Sequence, residues 1–372
     1  MLQNLRFLDV PVVDSLDDPE HGWKFQAMED VQAQSWLRTF GNTDEATLAQ
    51  EWLVGRANEL RWVHHWILAV EGPEDIPDAV AGAGYVDWST CDNLDKVEVS
   101  VFVRPQARCR GVGTALLEWC EEKVRESGRT LMMTWAFFGA HEDCPPRLPA
   151  AEGKDVPANV DGVSFLIHRG FEVAQAERRS IMEVPLDPAL RASLLEATLP
   201  HTHGYRLHTW RTWIPEEWIE PYARLMEEFS LDMPSGGIDW QREVWDVERV
   251  QRRMSDIDKK GSVLLITVAE DISSGELVGC TELSWRDQPG IEAAEQWITE
   301  VVRGHRGHRL GMWMKIANLD AMLAERPGIR RVSTSNAEEN SPMLGINMAM
   351  GFIPRGGYVM LKKAIPTMGS AE

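Results

Sequence analysis

Cysteine is scarce: the 372 residues hold five, Cys91, Cys109, Cys120, Cys144 and Cys280. The number is odd, the spacing irregular, and no Cys-x-x-Cys pair occurs. That argues against a disulfide framework or structural zinc and for a reducing, cytoplasmic setting. Long apolar runs are missing as well. Nothing approaches the roughly 18 consecutive apolar residues a membrane-spanning helix needs, and a stretch such as Val263–Ala269 is strand-sized. The opening residues MLQNLRFLDVPVVDS lack a basic region followed by a long apolar core, so no secretory signal is expected. Basic charge is in deficit: Lys and Arg total 38 against 58 Asp and Glu, a formal net charge of −20. Nucleic acid is therefore not expected as a partner, and cationic or amine-bearing partners fit the sign better. A composition of 44% hydrophobic and 26% charged residues is that of a globular chain, and the length favours two domains.

Tryptophan is plentiful, with eight of 16 residues before position 200 and eight after it. This even split points to a duplication, and a repeat decides how the rest is read. Val80–Trp88 (VAGAGYVDW) lies over Leu277–Trp285 (LVGCTELSW) at an offset of 197. Val101–Gly113 (VFVRPQARCRGVG) lies over Thr299–Gly311 (TEVVRGHRGHRLG) at 198. Gly170-Phe171 recurs as Gly351-Phe352 at 181, and Leu5-Arg-Phe and Tyr205-Arg-Leu open the halves at 200. The smaller offset gives the first half about 17 extra residues before its Gly-Phe.

Each half reads alike. Trp62–Val70 and Val80–Trp88 predict a hairpin, Val97–Val103 a third strand and Thr130–Phe138 a fourth. Between the last two, Gly111–Ser127 places Val112, Leu116, Leu117, Cys120 and Val124 on one helical face, and Gly162–Arg169 is a short helix. The second half repeats this with Ser262–Glu270, Glu276–Arg286, Gln296–Val302, Arg309–Glu325, Ile329–Asn336 and Ser341–Met350. Residues 186–203 read as a linker with a short helical turn, and 139–160, rich in Pro, Ala and charge, as a loop. Domains are expected at 1–185 and 204–372.

Chemistry concentrates where a strand ends in a glycine-containing turn that opens a helix. Around Arg108-Cys109-Arg110-Gly111-Val112-Gly113-Thr114 the helix start aims unpaired backbone N–H groups one way, and the helix dipole adds partial positive charge. Glycine permits the tight turn and lets an anion approach the backbone. Arg108 and Arg110 add fixed charge. The pattern occurs twice in the same context and predicts a pyrophosphate site.

R-x-x-G-x-G after a strand, followed by a helix and a late Gly-Phe, resembles the GNAT N-acetyltransferase superfamily. The two halves together resemble its tandem, two-domain members of actinobacterial type, with mycothiol synthase as a distant architectural cousin. The resemblance covers nearly the whole chain apart from 139–160 and 186–203. It implies an α/β fold of three αβα layers in two copies, each with a mixed sheet that splays between the third and fourth core strands to admit acetyl-CoA. By that resemblance Val101, Phe102 and Val103 meet the pantetheine arm. Arg108, Cys109, Arg110, Gly111, Val112, Gly113 and Thr114 would cradle the pyrophosphate. In the second half Val301 and Val302 take the first role, and Arg306, Gly307, His308, Arg309, Leu310 and Gly311 the second. Arg309 stands where the first glycine is expected and crowds the loop. Lys315 and Asn318 follow it, and Asn336 and Asn340 are further cofactor contacts.

The implied reaction moves an acetyl group from acetyl-CoA to a primary amine of a small molecule, possibly cationic, by direct attack of the amine on the thioester. It needs a proton acceptor and a donor for the developing oxyanion. Glu98 on the pantetheine strand is the candidate base, with Gln296 its counterpart by offset and Glu295 and Glu300 close by. Many members carry a Tyr four residues before the late Gly. Leu166 and Asn347 stand there instead, leaving Tyr85 and Tyr358 as acid candidates by elimination. Analogy with mycothiol synthase favours the second half as the catalytic one. A non-catalytic acyl-CoA-binding or sensing protein, and an enzyme acetylating a protein amine, remain alternatives. The chain is expected to be a monomer (a pseudo-dimer of domains) or a homodimer. His141-Glu142-Asp143-Cys144 lacks ligand partners at standard spacing, so no metal is expected. Of His64 and His65 at most one faces the site, and Trp88 and Trp285 belong either to the core or to an acceptor pocket.

Overall fold

The computed structural model describes residues 4–58, 61–230, 232 and 234–366. The first copy runs β1 (Leu5–Asp9), α1 (Gly22–Phe40), α2 (Ala49–Arg56), β2 (Trp62–Glu71), β3 (Val80–Ser89), β4 (Lys96–Val103), α3 (Val112–Ser127) and β5 (Leu131–Gly139). A two-residue ladder, β6 (Arg147–Leu148) with β7 (Val156–Pro157), interrupts the expected loop before α4 (Asp161–Ile167) and β8 (Glu172–Glu183). After α5 (Pro188–Thr198) the second copy runs β9 (Tyr205–Arg211), α6 (Glu216–Phe229), α7 (Val247–Lys259), β10 (Ser262–Asp271), β11 (Glu276–Arg286) and β12 (Ala293–Val301). It ends with α8 (Leu310–Glu325), β13 (Arg331–Ala337), α9 (Ser341–Met350) and β14 (Ile353–Ala364).

Alternation along each strand divides the core in two. In the first copy Trp66, Leu68, Val70, Ala83 and Phe102 face α1 and α2, with Phe25, Met28 and Trp52. Ile67, Ala69 and Ala81 face α3, meeting Val112 and Leu116. Three layers result. Residues 186–203 hold more than a linker. The Asp187 carboxylate accepts from the N–H groups of Ala189 and Leu190, Pro188 opens α5, and Leu194 and Leu195 pack on the core that α8 lines.

The compact units are not the contiguous stretches 1–185 and 204–372. The first unit comprises Met1–Ala151, Asp155–Gln175 and Tyr358–Glu372; the second comprises Glu152–Lys154 and Ala176–Gly357. The first has strand order β1-β2-β3-β4-β5-β14, taking its last strand from the end of the chain. In the second, β8 is antiparallel to β13, with Glu183 opposite Arg331 and Glu177 opposite Ala337, and the order is β8-β13-β12-β11-β10-β9. The copies have exchanged their terminal strands. Each strand follows a Gly-Phe in equivalent sequence, so nothing local records which sheet receives it.

A chain ended after Gly357 should therefore injure the first unit. Limited proteolysis of that truncation is expected to open sites within residues 1–151 while 176–357 stays protected. The reverse pattern would contradict the exchange.

Candidate active site

β4 and β5 are parallel and pair only at Lys96–Leu131, Val97–Met132 and Glu98–Met133. There the ladder stops, although β4 continues to Val103 and β5 to Gly139. β4 keeps its other neighbour, with Val101 opposite Gly84 and Val103 opposite Gly82. One edge of Val99–Val103 thus presents backbone groups with no ladder partner, which is costly unless something extended lies against them. In the second unit β12 and β13 part in the same way after Ala293–Arg331, Ala294–Val332 and Glu295–Ser333.

Beyond each parted strand lies the turn that the sequence marks. Pro105–Ala107 form a 3-10 turn, Cys109 (φ 57°) and Gly111 (φ 93°) are left-handed, and α3 begins. In the second unit Arg303–His305 form that turn, Gly307 (φ 88°) and Arg309 (φ 55°) are left-handed, and α8 begins. The backbone pattern is the same, with glycine at one of the two strained positions in each copy. Arg309 leaves the loop intact but holds a conformation that costs a non-glycine residue about 1–2 kcal/mol. Neither helix has a side-chain N-cap, so its first N–H groups are left for an anion.

The expected arginines divide into two kinds. Arg108 Nε donates to the Val103 carbonyl at 3.3 Å, and Arg306 Nε to Val301 at 2.8 Å. Arg108 also reaches Asp161 and Ser35, and Arg306 reaches Asp232 and Glu300. Both brace the loop from inside rather than extend to a phosphate. Arg110 is exposed, in an ion pair with Glu71. Thr114 Oγ1 accepts from Arg169, and His308 packs against the Tyr205 ring. Two asparagines are already engaged. Asn340 Oδ1 caps α9 by accepting from the Met343 N–H, and Asn336 Oδ1 accepts from Asn347 Nδ2 at 2.6 Å.

In the first unit a set of polar groups lies on the α1/α2 face where β4 parts. Glu98 is opposite Asp87 in register and receives the Tyr85 hydroxyl at 3.4 Å. Glu98 is half-buried. Burial and then the Asp87 charge push its pKa up to about 7, against the Tyr85 hydrogen bond. Tyr85 is held well above its ordinary range by burial, then by Glu98 and Asp87. Trp66 Nε1 donates to Asp87 at 2.7 Å, and His64 Nδ1 lies 2.9 Å from the same carboxylate but out of hydrogen-bonding alignment. The rings of Trp52, Trp66 and Tyr85 meet within 5.3–6.2 Å. The strand exchange also brings Tyr358 here. It donates to Glu45 at 2.7 Å and packs with Trp36, Phe40 and Phe137. Among the described residues no cluster of His, Cys, Asp and Glu could hold a metal, and no helix is long and apolar enough to cross a membrane.

Comparison with known proteins agrees with this geometry. Residues 25–141 match the model of the acetyltransferase (GNAT) family. A tandem GNAT protein from the clavulanic acid biosynthesis pathway is similar over 98% of this chain and 99% of its own, with 23% identity and a TM-score of 0.72. Residues 25–141 thus match the GNAT family, and the whole chain has the fold of a tandem GNAT protein. A GCN5-related N-acetyltransferase from Sphaerobacter thermophilus is similar in fold over 97% of both chains, with 16% identity and a TM-score of 0.58. So is a GCN5-related glucosamine N-acetyltransferase region of a fungal multi-domain β-N-acetylglucosaminidase, over 97% of this chain and 38% of that one, with 15% identity and a TM-score of 0.58. No curated protein matches the sequence.

The second copy is built differently at the equivalent place. A bulge in β12 shifts its register between Thr281 and Leu283 of β11, so Glu295 opposite Ser284 occupies the place of Glu98, not Gln296 as the constant offset suggested. Gln296 points to the other face, where its Nε2 donates to Thr281 Oγ1 and the Glu282 carbonyl. Where the first copy has Tyr85, the second has Glu282, 0% exposed and gripped by both terminal nitrogens of Arg253 at 2.7 Å and by the Tyr222 hydroxyl. Burial works against the Arg253 charge, but Glu282 and Tyr222 outweigh it and raise its pKa. Glu300 is pushed up to about 7 by burial, with Arg306 opposing and Asp232 adding. It is tied to Arg306 at 2.9 Å at the edge of the loop, away from the position of Glu98.

Trp88 and Trp285 point away from this face. Trp285 is buried in the α8 core, and Trp88 packs with His65 and Arg129. Asp87 is the contributor that sequence reading passed over, and of the two histidines it is His64 that lies beside it. Strand alternation was the available signal, since Asp87 follows Tyr85 by two and so shares its face.

Replacing Arg309 by Gly should raise stability by up to about 1 kcal/mol, since the left-handed strain is relieved while the unfolded chain gains freedom. Gly111→Arg should cost about 1 kcal/mol or more. Denaturant unfolding checks both, and a loss of stability in Arg309→Gly would show that its side chain, not the loop backbone, decides.

Proposed function

We propose that the chain is an acetyl-CoA-dependent N-acetyltransferase acting on a primary amine of a small molecule, and that the first unit carries the transfer. The supporting observation is Glu98: a half-buried carboxylate whose pKa is pushed up to about 7, at the point where β4 leaves β5. The second unit offers Glu282 at the neighbouring position, buried and ion-paired with Arg253. The earlier preference for the second half, based on analogy, gives way to this difference. Both units keep the loop, so the α8 cradle holds a CoA as well.

Bound acetyl-CoA would supply the activated thioester, with Val99–Val103 beside its pantetheine and the α3 N-terminus at its pyrophosphate. A carboxylate titrating near neutrality is substantially ionised at pH 7 and basic enough to take a proton from an ammonium. Tyr85, held protonated by its surroundings, is a poor proton source, so we assign it the positioning of Glu98. The lining supports this substrate class. Asp87 and Glu98 lie among Trp52, Trp66 and Tyr85, while Glu45 lies with Trp36, Phe40, Phe137 and Tyr358. Carboxylates among ring faces favour a cationic amine.

Following free-thiol release with a panel of amines tests this. Wild type should turn over with at least one small amine, and Glu98→Gln should lower kcat about a hundredfold or more. Glu295→Gln should not. The rate should rise with pH through about 7, because the base acts only when ionised. Tyr85→Phe should move that inflection upward, since its hydrogen bond favours the ionised form. Cofactor binding with no thiol release for any amine would favour an acyl-CoA-sensing protein instead.

A further inference from the structure

Across β2, β3 and β4 of the first unit stand His64, Asp87 and Glu98, each opposite the next in register. All three lie on the face covered by α1 and α2. His64 Nδ1 is 2.9 Å from Asp87 Oδ1, the oxygen to which Trp66 Nε1 donates. Its Nε2 is 3.1 Å from the Asn58 carbonyl oxygen. The imidazole is 7% exposed and held by two indoles, Trp62 stacked on it at 6.4 Å and Trp66 edge-on at 5.6 Å.

A ring nitrogen facing an oxygen acceptor needs a proton, and a neutral imidazole has only one to give. Both nitrogens of His64 face oxygens, so the doubly protonated ring suits the position. The Nδ1 contact is off the hydrogen-bond line, but a lone pair there would still meet the carboxylate charge at 2.9 Å. His64 therefore serves as a cation on the side of Asp87 away from Glu98. Other charged or titratable side chains around this face are engaged elsewhere or with the row itself. Tyr85 of β3 donates to Glu98. From α1, Lys24 donates to the Asp9 carbonyl and Glu29 accepts from the Ala49 N–H. From α2, Glu51 accepts from the Leu48 N–H and Arg56 donates to the Val10 carbonyl.

The second copy shows that the sheet itself does not need this pair. Its row, in the same register, is Leu264, Ser284 and Glu295, with Leu264 and Ser284 buried. Neutral residues fill those places at no electrostatic cost, whereas an enclosed ion pair costs desolvation. The pair occurs in the copy whose row ends in Glu98.

We propose that His64 is a positioning residue for proton removal: paired with Asp87, it cancels that carboxylate's charge, so that Glu98 stays ionised beside it and can accept the amine's proton. This rests on the reading of Glu98 as the base. Asp87 already counts among the causes that push Glu98 up. Without the histidine it would face Glu98 as an uncompensated like charge, and Glu98 would keep its proton to higher pH.

Carboxyl NMR titration of the full-length protein reads this without turnover, with the Glu98 signal identified by its loss in Glu98→Gln. His64→Gln, and His64→Leu as in the second copy, remove the cation. Each should move the Glu98 titration upward by about one pH unit. Asp87→Asn should move it downward, and His64→Gln should then add little, because the histidine acts through Asp87. The pH–rate profile of thiol release should shift with the titration, and kcat should keep its high-pH plateau in His64→Gln. An unmoved titration in both histidine variants, or an undiminished shift in the Asp87→Asn background, overturns this proposal alone. An equal fall of kcat at every pH would assign His64 to packing and overturn it too. Wild-type protein that releases no thiol with any amine would instead remove the base reading, and the positioning role with it, even where the titrations are coupled.

Discussion

Everything in the site depends on two parallel strands that pair for three residues and then part. Pairing as far as Glu98–Met133 fixes β4 against β5, and its end exposes a strand edge in the middle of a sheet. Backbone groups in such a place cannot be left unpaired at no cost. In the proposed reading an extended, amide-bearing chain would satisfy them, and the N-terminus of α3, which has no side-chain cap, would take the anion at its end. A two-residue left-handed turn links strand to helix, and its geometry is the same whether glycine stands at the first or the second position.

One architecture, used twice, has diverged where charge is buried. In the first copy the α1/α2 face holds carboxylates that share the same surroundings without a cation between them, and Glu98 is consequently displaced toward neutrality. In the second copy an arginine from α7 has entered the equivalent space, so Glu282 is paired and inert. A buried, bidentate pair of that kind gives rigidity, and removing one partner would leave an uncompensated charge.

Much of this was legible in the sequence. The repeat offsets, hairpins, glycine turns and amphipathic helices are local patterns, and they located α3, α8 and both loops to within a residue or two. The place of Glu98 on β4 was legible too, because it alternates along the strand that ends in the loop. Three things were not. The exchange of β8 and β14 depends on which sheet receives a strand, and two equivalent strands carry no mark of that choice. The bulge in β12 puts Glu295 where a constant offset puts Gln296, since one extra residue turns every later side chain to the other face. The arginines of the loop were expected to reach outward, but each is held inward by a strand carbonyl and carboxylates that come from distant sequence.

Hydrogen exchange of the full-length protein with and without acetyl-CoA addresses the central claim most directly, because it reads the backbone groups themselves. Binding between the parted strands should slow exchange at the amides of Val99–Val103 and of Gly111–Thr114, and leave β2 and β3 unchanged. Protection elsewhere with none along Val99–Val103 would contradict the account.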